Sequence, residues 1–486
     1  MTITAGPPSA KARGRAQDAR AVTFIRFFLR FAEPGAVTVP GSPDPNDEAP
    51  WDRDRAHLVL DADPQGRPQL PGTSLAGCLR EMVRLADGEE TAKELFGCLL
   101  PAGSGGTEVD AKASQIRILG SRPVGADGDE ITTVPSVVRA STAICRTRGA
   151  AKANTLRVEE LLPAGSRFEI FLRWDDARQA GLERLLSLLA AWHPLLGRGS
   201  SRGRGRCVIE GIYHGKLRLN EPEGLHRWLT ASGPALARTV ATTEFSDGNL
   251  PAGPEPLLQV TITIAGPLRV GTGQPAEAVG DQGQKVAQLF REGGRYILPG
   301  TGLKGLLRSR AEFILRSVRV THAPCMDQRC GKCWPCTVFG HGGGQDPDAV
   351  AVGARALVRI PDAPVADPVQ VRRQHVAIDR FTGGAHEGLL YTDEVLEGGS
   401  FTITVERLAD DLGAGSETQI RAVLRLVLND LHDGIAGIGA GVARGYGSVT
   451  VDFADAEARG YLPSARAAQA SLAQMAAAST DREVAR

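Results

Sequence analysis

Four cysteines fall within twelve residues, as Cys325-x4-Cys330-x2-Cys333-x2-Cys336. Four thiolates suffice for one tetrahedral Zn²⁺ and leave no coordination position open, so the site reads as a structural staple rather than a catalytic centre. His322 stands close enough in sequence to replace one of them. The Cys-x2-Cys-x2-Cys core also resembles an iron–sulfur run, but the fourth cysteine falls on the wrong side for that pattern. Cys78, Cys98, Cys145 and Cys207 are scattered, and burial is the expectation for them.

Other features suit a phosphate. Leu70-Pro71-Gly72-Thr73-Ser74-Leu75 and Leu298-Pro299-Gly300-Thr301-Gly302-Leu303 each read as a turn running into a helix. Thr73 and Thr301 sit where an N-cap hydroxyl is wanted. A helix N-terminus offers free N–H groups and a positive dipole end, and Gly72 and Gly300 admit a close backbone approach. Arg80 and Arg84 add charge to the first helix, and Lys304, Arg308 and Arg310 to the second. Two glycine-rich loops follow, Gly197–Arg206 with Arg198, Arg202 and Arg204, and Gly437–Gly447 with Arg444. Neither carries the Lys-Ser/Thr ending of a nucleotide-binding P-loop, and each leads into a strand rather than a helix. A third cluster comprises Arg139, Arg146, Arg148, Lys152 and Arg157, with Arg372, Arg373 and Arg380 in the matching place further on. His375 beside them reads as a structural group or an RNA contact.

These features come in pairs because the chain is duplicated. The Pro-Gly-Thr segments are displaced by 228 residues, Thr142–Arg146 and Val376–Arg380 by 234, and Leu95-Phe96-Gly97 and Val338-Phe339-Gly340 by 243. The step from 228 to 243, which is 15 residues, is the length of an insertion that holds the cysteines, in the second copy only. Each copy reads as strand (Val22–Phe31; Leu258–Ile264), helix, strand (Gln115–Leu119; Arg355–Ile360), strand (Arg167–Trp174; Phe401–Arg407), helix, then a strand after the glycine loop (Cys207–Ile212; Ser448–Phe453). That is the ferredoxin-like order, an α+β fold in tandem. The expected division is a disordered tail 1–20, a first domain 21–241, a linker 242–256, a second domain 257–454 with its zinc insertion at about 322–341, and an Ala-rich tail 455–486.

Lys+Arg and Asp+Glu both number 56, so net charge makes no case for a polyanion and only local clusters can. No run of roughly 20 apolar residues suggests a membrane span, and the Arg-rich start lacks the apolar core of a signal peptide. The expectation is a cytoplasmic chain.

Together the glycine loops, the Pro-Gly-Thr-x-Leu-Lys-Gly helix start and the segment Ile378-Asp379-Arg380-Phe381-Thr382-Gly383-Gly384-Ala385 resemble the RAMP superfamily. More narrowly, they resemble the backbone subunits of type III CRISPR effectors, over about residues 22–218 and 257–453. The tandem form resembles the fused double subunit of the III-D class. The resemblance implies two RRM-like RAMP domains, each with a protruding thumb hairpin. It implies binding of CRISPR guide RNA and of complementary target RNA. It also implies contacts with a large polymerase-like subunit, a small subunit and other backbone subunits, and no membrane. In that family an Asp upstream of the Pro-Gly motif cuts target RNA, which points to Asp54 and Asp281, with a divalent cation such as Mg²⁺ or Mn²⁺. The residues after them, Arg55-Ala56 and Gln282-Gly283, depart from the family's pattern. Gly72, Thr73, Ser74, Arg80, Arg139, Arg146, Arg198, Arg202 and Arg204 become the RNA-contact candidates of the first copy. Gly300, Thr301, Lys304, Arg308, Arg373, His375, Arg380 and Arg444 are those of the second. Asp379, which stands where the first copy has Cys145, could pair with Arg380 to shape the thumb. Two alternatives stay open: a backbone subunit that does not cut, and a guide-processing endonuclease.

Overall fold

The computed structural model describes residues 21–40, 57–99, 111–175, 177–246, 255–272, 277–279, 284–320, 323–326, 330–342, 353–408, 412 and 414–484. Asp54, Asp281, His322 and the tail 1–20 lie outside these residues. The elements of the first copy are β1 (Ala21–Phe31), α1 (Gly72–Asp87), β2 (Ile116–Val124), β3 (Val137–Ser141), β4 (Arg157–Leu161), β5 (Arg167–Asp175), α2 (Gln179–Ala190) and β6 (Cys207–Arg218). Those of the second are β7 (Leu258–Ile264), α3 (Gly300–Ser317), β8 (Val358–Arg359), β9 (Ala366–Ile378), β10 (Ala385–Arg407), α4 (Ala414–His432) and β11 (Val449–Val451). A last helix, α5, spans Ala465–Val484.

Both copies form one antiparallel sheet of the same order, β6–β1–β5–β2 and β11–β7–β10–β8. Strand alternation sorts the residues of β1 onto two faces. Ile25, Phe27, Leu29 and Phe31 pack with Leu75, Leu79 and Met82 of α1 and Leu182, Leu185, Leu186 and Leu189 of α2. Val22 and Phe24 point the other way, under Leu236, Ala237 and Val240. In β7 only one face is apolar: Leu258, Val260, Ile262 and Ile264 meet Leu303, Leu307 and Leu315 of α3 and Ile420, Val423, Val427 and Leu431 of α4. Leu472 and Met475 of the Ala-rich α5 pack against this same core.

The hairpins β3–β4 and β9–β10 correspond residue by residue. Arg139 faces Glu159 in the first, and Arg373 faces Asp393 in the second. The bridges nearest the turns are Ile144 to Ala151 and Ile378 to Ala385. Both pairs share the 234-residue displacement of the repeat.

Three expectations need correction. The helix N-caps are Pro71 and Pro299, with no side-chain cap bond; Thr73 and Thr301 lie inside the first turn. Proline's fixed φ suits the junction, and its carbonyl accepts from Leu75 or Leu303, so the helix begins before a threonine can cap it. Of the four scattered cysteines, only Cys207 is buried. Asp379 does not pair with Arg380; its Oδ1 accepts from the N–H groups of Phe381 (2.9 Å) and Thr382 (2.7 Å) and from the Thr382 hydroxyl (3.0 Å), closing the turn locally.

Candidate nucleic-acid interface and metal centre

The four sulfurs of Cys325, Cys330, Cys333 and Cys336 lie within 4.8 Å of one another. Cys325 and Cys336 are 3.5 Å apart, and Cys325 and Cys333 3.8 Å. A tetrahedron with Zn–S bonds of about 2.3 Å needs sulfurs about 3.8 Å apart, so the cluster could hold a zinc ion. Burial works to raise the Cys330 thiol, but hydrogen bonds from the N–H groups of Cys333 and Lys332 bring it down to about 6. Burial pushes the Cys336 thiol up. The Arg308 guanidinium approaches Cys336 Sγ at 3.4 Å, where it offsets the charge of a four-thiolate site.

Arg308 is therefore not a free phosphate contact. It also donates to Gly340 O at 2.7 Å and Glu312 Oε1 at 2.8 Å. Arg80, its counterpart in the first copy, donates to Gly97 O at 3.3 Å and Glu89 at 3.0 Å. Each helix thus uses the same arginine to hold the Phe-Gly turn beyond it.

The glycine loops superpose two residues away from the match that glycine counting suggests. In the first, Gly197, Gly199, Gly203 and Gly205 take positive φ; in the second, Gly439, Gly441, Gly445 and Gly447 do. A single 3₁₀ turn sits between the inner pair in both, Ser200–Arg202 and Val442–Arg444. Arg202 therefore matches Arg444, and Arg204 matches Tyr446. A hairpin carboxylate lies under each loop. Glu159 pairs with buried Arg204, and Asp393 with Arg444 at 3.1 Å. In the second copy His375 joins this group, 2.8 Å from the Tyr446 hydroxyl and stacked on Tyr391.

The first loop does not stay within its own domain. Ser201 O accepts from Ile360 N–H, and Lys304 Nζ donates to Ser201 Oγ at 2.8 Å. A Cβ on Gly203 would run into Pro361, and one on Gly300 into Ile360 O and Arg202 O. So the glycine loop of the first copy sits against the Pro-Gly helix start of the second. The N–H of Gly300 is already taken by Asp362 Oδ1 at 2.7 Å.

Arginines from the first copy lock this junction. Arg139, 5% exposed, pairs with Glu292 and with Asp362 (2.7 Å) and lies over Phe290. Arg146 Nε donates to Glu312 Oε2 at 2.7 Å. Arg206 pairs with Glu406, and the wholly buried Arg359 pairs back to Glu33 and to Glu406 (2.6 Å). Arg139, Arg146 and Arg204 are thus each paired with carboxylates. Their acids are distant in sequence, and nothing in the local pattern gave them away.

Arg198, Arg202 and Lys304 remain around the first loop. Arg198 is exposed. Arg202 forms no side-chain hydrogen bond or ion pair among the described residues. Burial first, then Arg202 and Arg308, lower the Lys304 ammonium to about 7. This is a half-buried cationic patch at the junction, and Glu159, already paired with Arg204, is the acid that acts on Arg202. Around the second loop, Arg444 also donates to the Tyr391 hydroxyl at 2.6 Å. Gly72, Thr73 and Ser74, at the start of α1, are accessible, as is Thr301 at that of α3.

Among the described residues no helix is long and apolar enough to cross a membrane. No curated protein matches the chain. Among solved structures, a chain in the "Cryo-EM structure of the Type III-B Cmr-beta bound to cognate target RNA" is similar, with a TM-score of 0.29 and 12% sequence identity. That match covers 42% of this chain and 64%, less than two thirds, of the other. The family model of the RAMP superfamily matches residues 58–208 and 261–450, one segment in each repeat and together more than half of the chain. With the same sheet order, glycine loop and hairpin in both halves, the protein belongs to the RAMP superfamily, as two RAMP domains in tandem.

Proposed function

We propose that the chain is a backbone subunit of a type III CRISPR effector, binding guide RNA along both domains and cutting complementary target RNA at Asp54 and Asp281. The observation that carries the RNA-binding part is the cationic patch at the junction. Arg202 and Lys304 converge from two domains beside a helix start and a glycine loop, where Glu159 already answers Arg204, and a nucleic-acid phosphate would supply the further negative charge. Arg198 continues this surface in the first domain. Gly72, Thr73 and Ser74 with the second glycine loop and Arg444 offer related chemistry at the outer ends. Arg80, Arg139, Arg146, Arg204 and Arg308 support it by holding the elements in place. His375 braces the second loop. The zinc centre staples the end of α3.

Cleavage rests on the family resemblance and on the matched positions of Asp54 and Asp281, each serving to hold a divalent cation such as Mg²⁺ or Mn²⁺ beside the scissile phosphate. The test is the assembled complex with Asp54→Ala and Asp281→Ala made separately. Each variant is expected to lose one target-cleavage product while retaining guide RNA. If both keep every product, the chain is a scaffold that does not cut. If the wild-type complex carries no short guide RNA, the proposal falls.

A further inference from the structure

Two side chains connect the turn of the first hairpin to the cysteine cluster. Arg308 on α3 approaches Cys336 Sγ at 3.4 Å and donates to Gly340 O at 2.7 Å, so it touches both the cluster and the end of the short helix Trp334–Phe339. Its Nε donates to Glu312 Oε1 at 2.8 Å. The other oxygen of this buried carboxylate accepts from Arg146 Nε at 2.7 Å. Arg146 sits in the turn between β3 and β4, and the residues after it, from Thr147 to Asn154, are exposed. Arg139, lower on the same hairpin, is fixed separately by Glu292 and Asp362. The base of the hairpin is therefore held by acids remote from the cluster, while its turn is held by an acid that the cluster's own arginine shares.

We propose that a metal ion held by Cys325, Cys330, Cys333 and Cys336 controls the order of the first hairpin's turn through Arg308 and Glu312. Four thiolates outweigh the charge of a dication, so with metal bound Arg308 divides its charge between the cluster and Glu312. Glu312 then has an oxygen to give to Arg146. Structural metal binding is coupled to local folding, so metal loss loosens the segment that supplies Cys336 and Gly340 O. Arg308 then turns to Glu312, and two arginines compete for one buried carboxylate. Arg146 reaches it only by ordering an exposed turn, at a cost in conformational entropy, so Arg146 is the one released. The change is in how often the turn's hydrogen bonds open, and the rest of the first domain stays as it is.

The repeat supplies an internal comparison. The first copy has no four-cysteine run, and it lacks the relay as well. Arg80, at the position of Arg308, donates to Gly97 O and Glu89. Arg84, paired with Glu81 at 2.7 Å, stands at the position of Glu312. The carboxylate that receives a hairpin turn thus occurs in the copy that carries the cysteines. The inference stands apart from RNA binding and cleavage, because it concerns the chain alone.

The experiment is hydrogen–deuterium exchange of the full chain, loaded with Zn²⁺ and after its removal by a chelator. Peptides covering residues 142–156 should exchange at least about fivefold faster without metal, while those covering the turn between β9 and β10 should not change. Coupling between two sites is reciprocal, so Arg146→Ala should weaken zinc binding by the same factor in chelator competition, and Arg146→Lys should recover part of it. In Glu312→Gln, residues 142–156 should exchange fast with or without metal. If that variant does not fold, Arg146→Ala carries the test. A first hairpin indifferent to metal, equal loosening of both hairpins, unchanged zinc affinity in Arg146→Ala, or a chain that takes up no zinc would each overturn the inference.

Discussion

Arg146 and Glu312 are 166 residues apart and meet at 2.7 Å across the domain junction, while the second oxygen of Glu312 holds Arg308, which in turn reaches Cys336. One buried carboxylate therefore couples the hairpin of the first domain to the four-cysteine cluster of the second. Removing it takes one counter-charge away from each of two guanidinium groups. Glu312→Ala is expected to lower stability by about 3–5 kcal/mol in urea unfolding, the usual cost of breaking a buried pair on one side. Glu312→Gln should recover only part of that loss.

One zinc ion held by Cys325, Cys330, Cys333 and Cys336 would fix a stoichiometry. The purified chain should release one Zn²⁺ on thiol oxidation, read by a colorimetric chelator. Cys333→Ser should abolish release and cost the second domain on the order of several kcal/mol, because structural metal binding is folding energy. Limited proteolysis should then cut the second domain first and leave the first intact. Equal sensitivity of both would count against a purely local staple.

Lys304 gives a pH dependence whose sign is fixed. Its ammonium is lowered from 10.5 to about 7 in the fold, so the unfolded chain holds more protons between those values. Stability from this group is full above about 10.5 and is lost as pH falls through about 7. Lys304→Met should therefore gain stability relative to wild type more at pH 6 than at pH 10. A bound phosphate would favour the protonated form, so wild-type affinity for RNA should fall as pH rises above 7. Fluorescence anisotropy with the methionine variant, expected to lose that slope, checks the role given to Lys304.

Two glycines of α3 should respond in opposite directions. At Gly300 a Cβ would overlap Ile360 O and Arg202 O, so Gly300→Ala should cost about 1–3 kcal/mol and loosen the junction. At Gly305, inside the helix, nothing lies within 4 Å of the added atom, and Gly305→Ala should stabilise by about 0.5–1 kcal/mol. Thermal melts of the two variants side by side make the comparison.

The duplication, the strand order and the core faces of the helices were legible in the sequence because periodicity and repetition are local signals. The cysteine cluster was legible for the same reason. The glycine loops were found but set two residues out of register, since composition does not reveal which glycines take positive φ. Arg139, Arg146 and Arg308 read as phosphate contacts because a cluster of positive charge looks alike whether RNA or carboxylate answers it. Glu292, Glu312 and Asp362 lie far along the chain and carry no pattern of their own.

The seat of the first glycine loop on α3 also bears on how the junction tolerates change. Two domains on one polypeptide meet at an effective concentration of the order of millimolar, set by the connecting segment rather than by expression level. Their contact need not outcompete other partners in dilute solution, and its two sides are inherited together in fixed proportion. A change at Arg139 or Arg146 and a compensating change at Asp362 or Glu312 therefore travel on one chain.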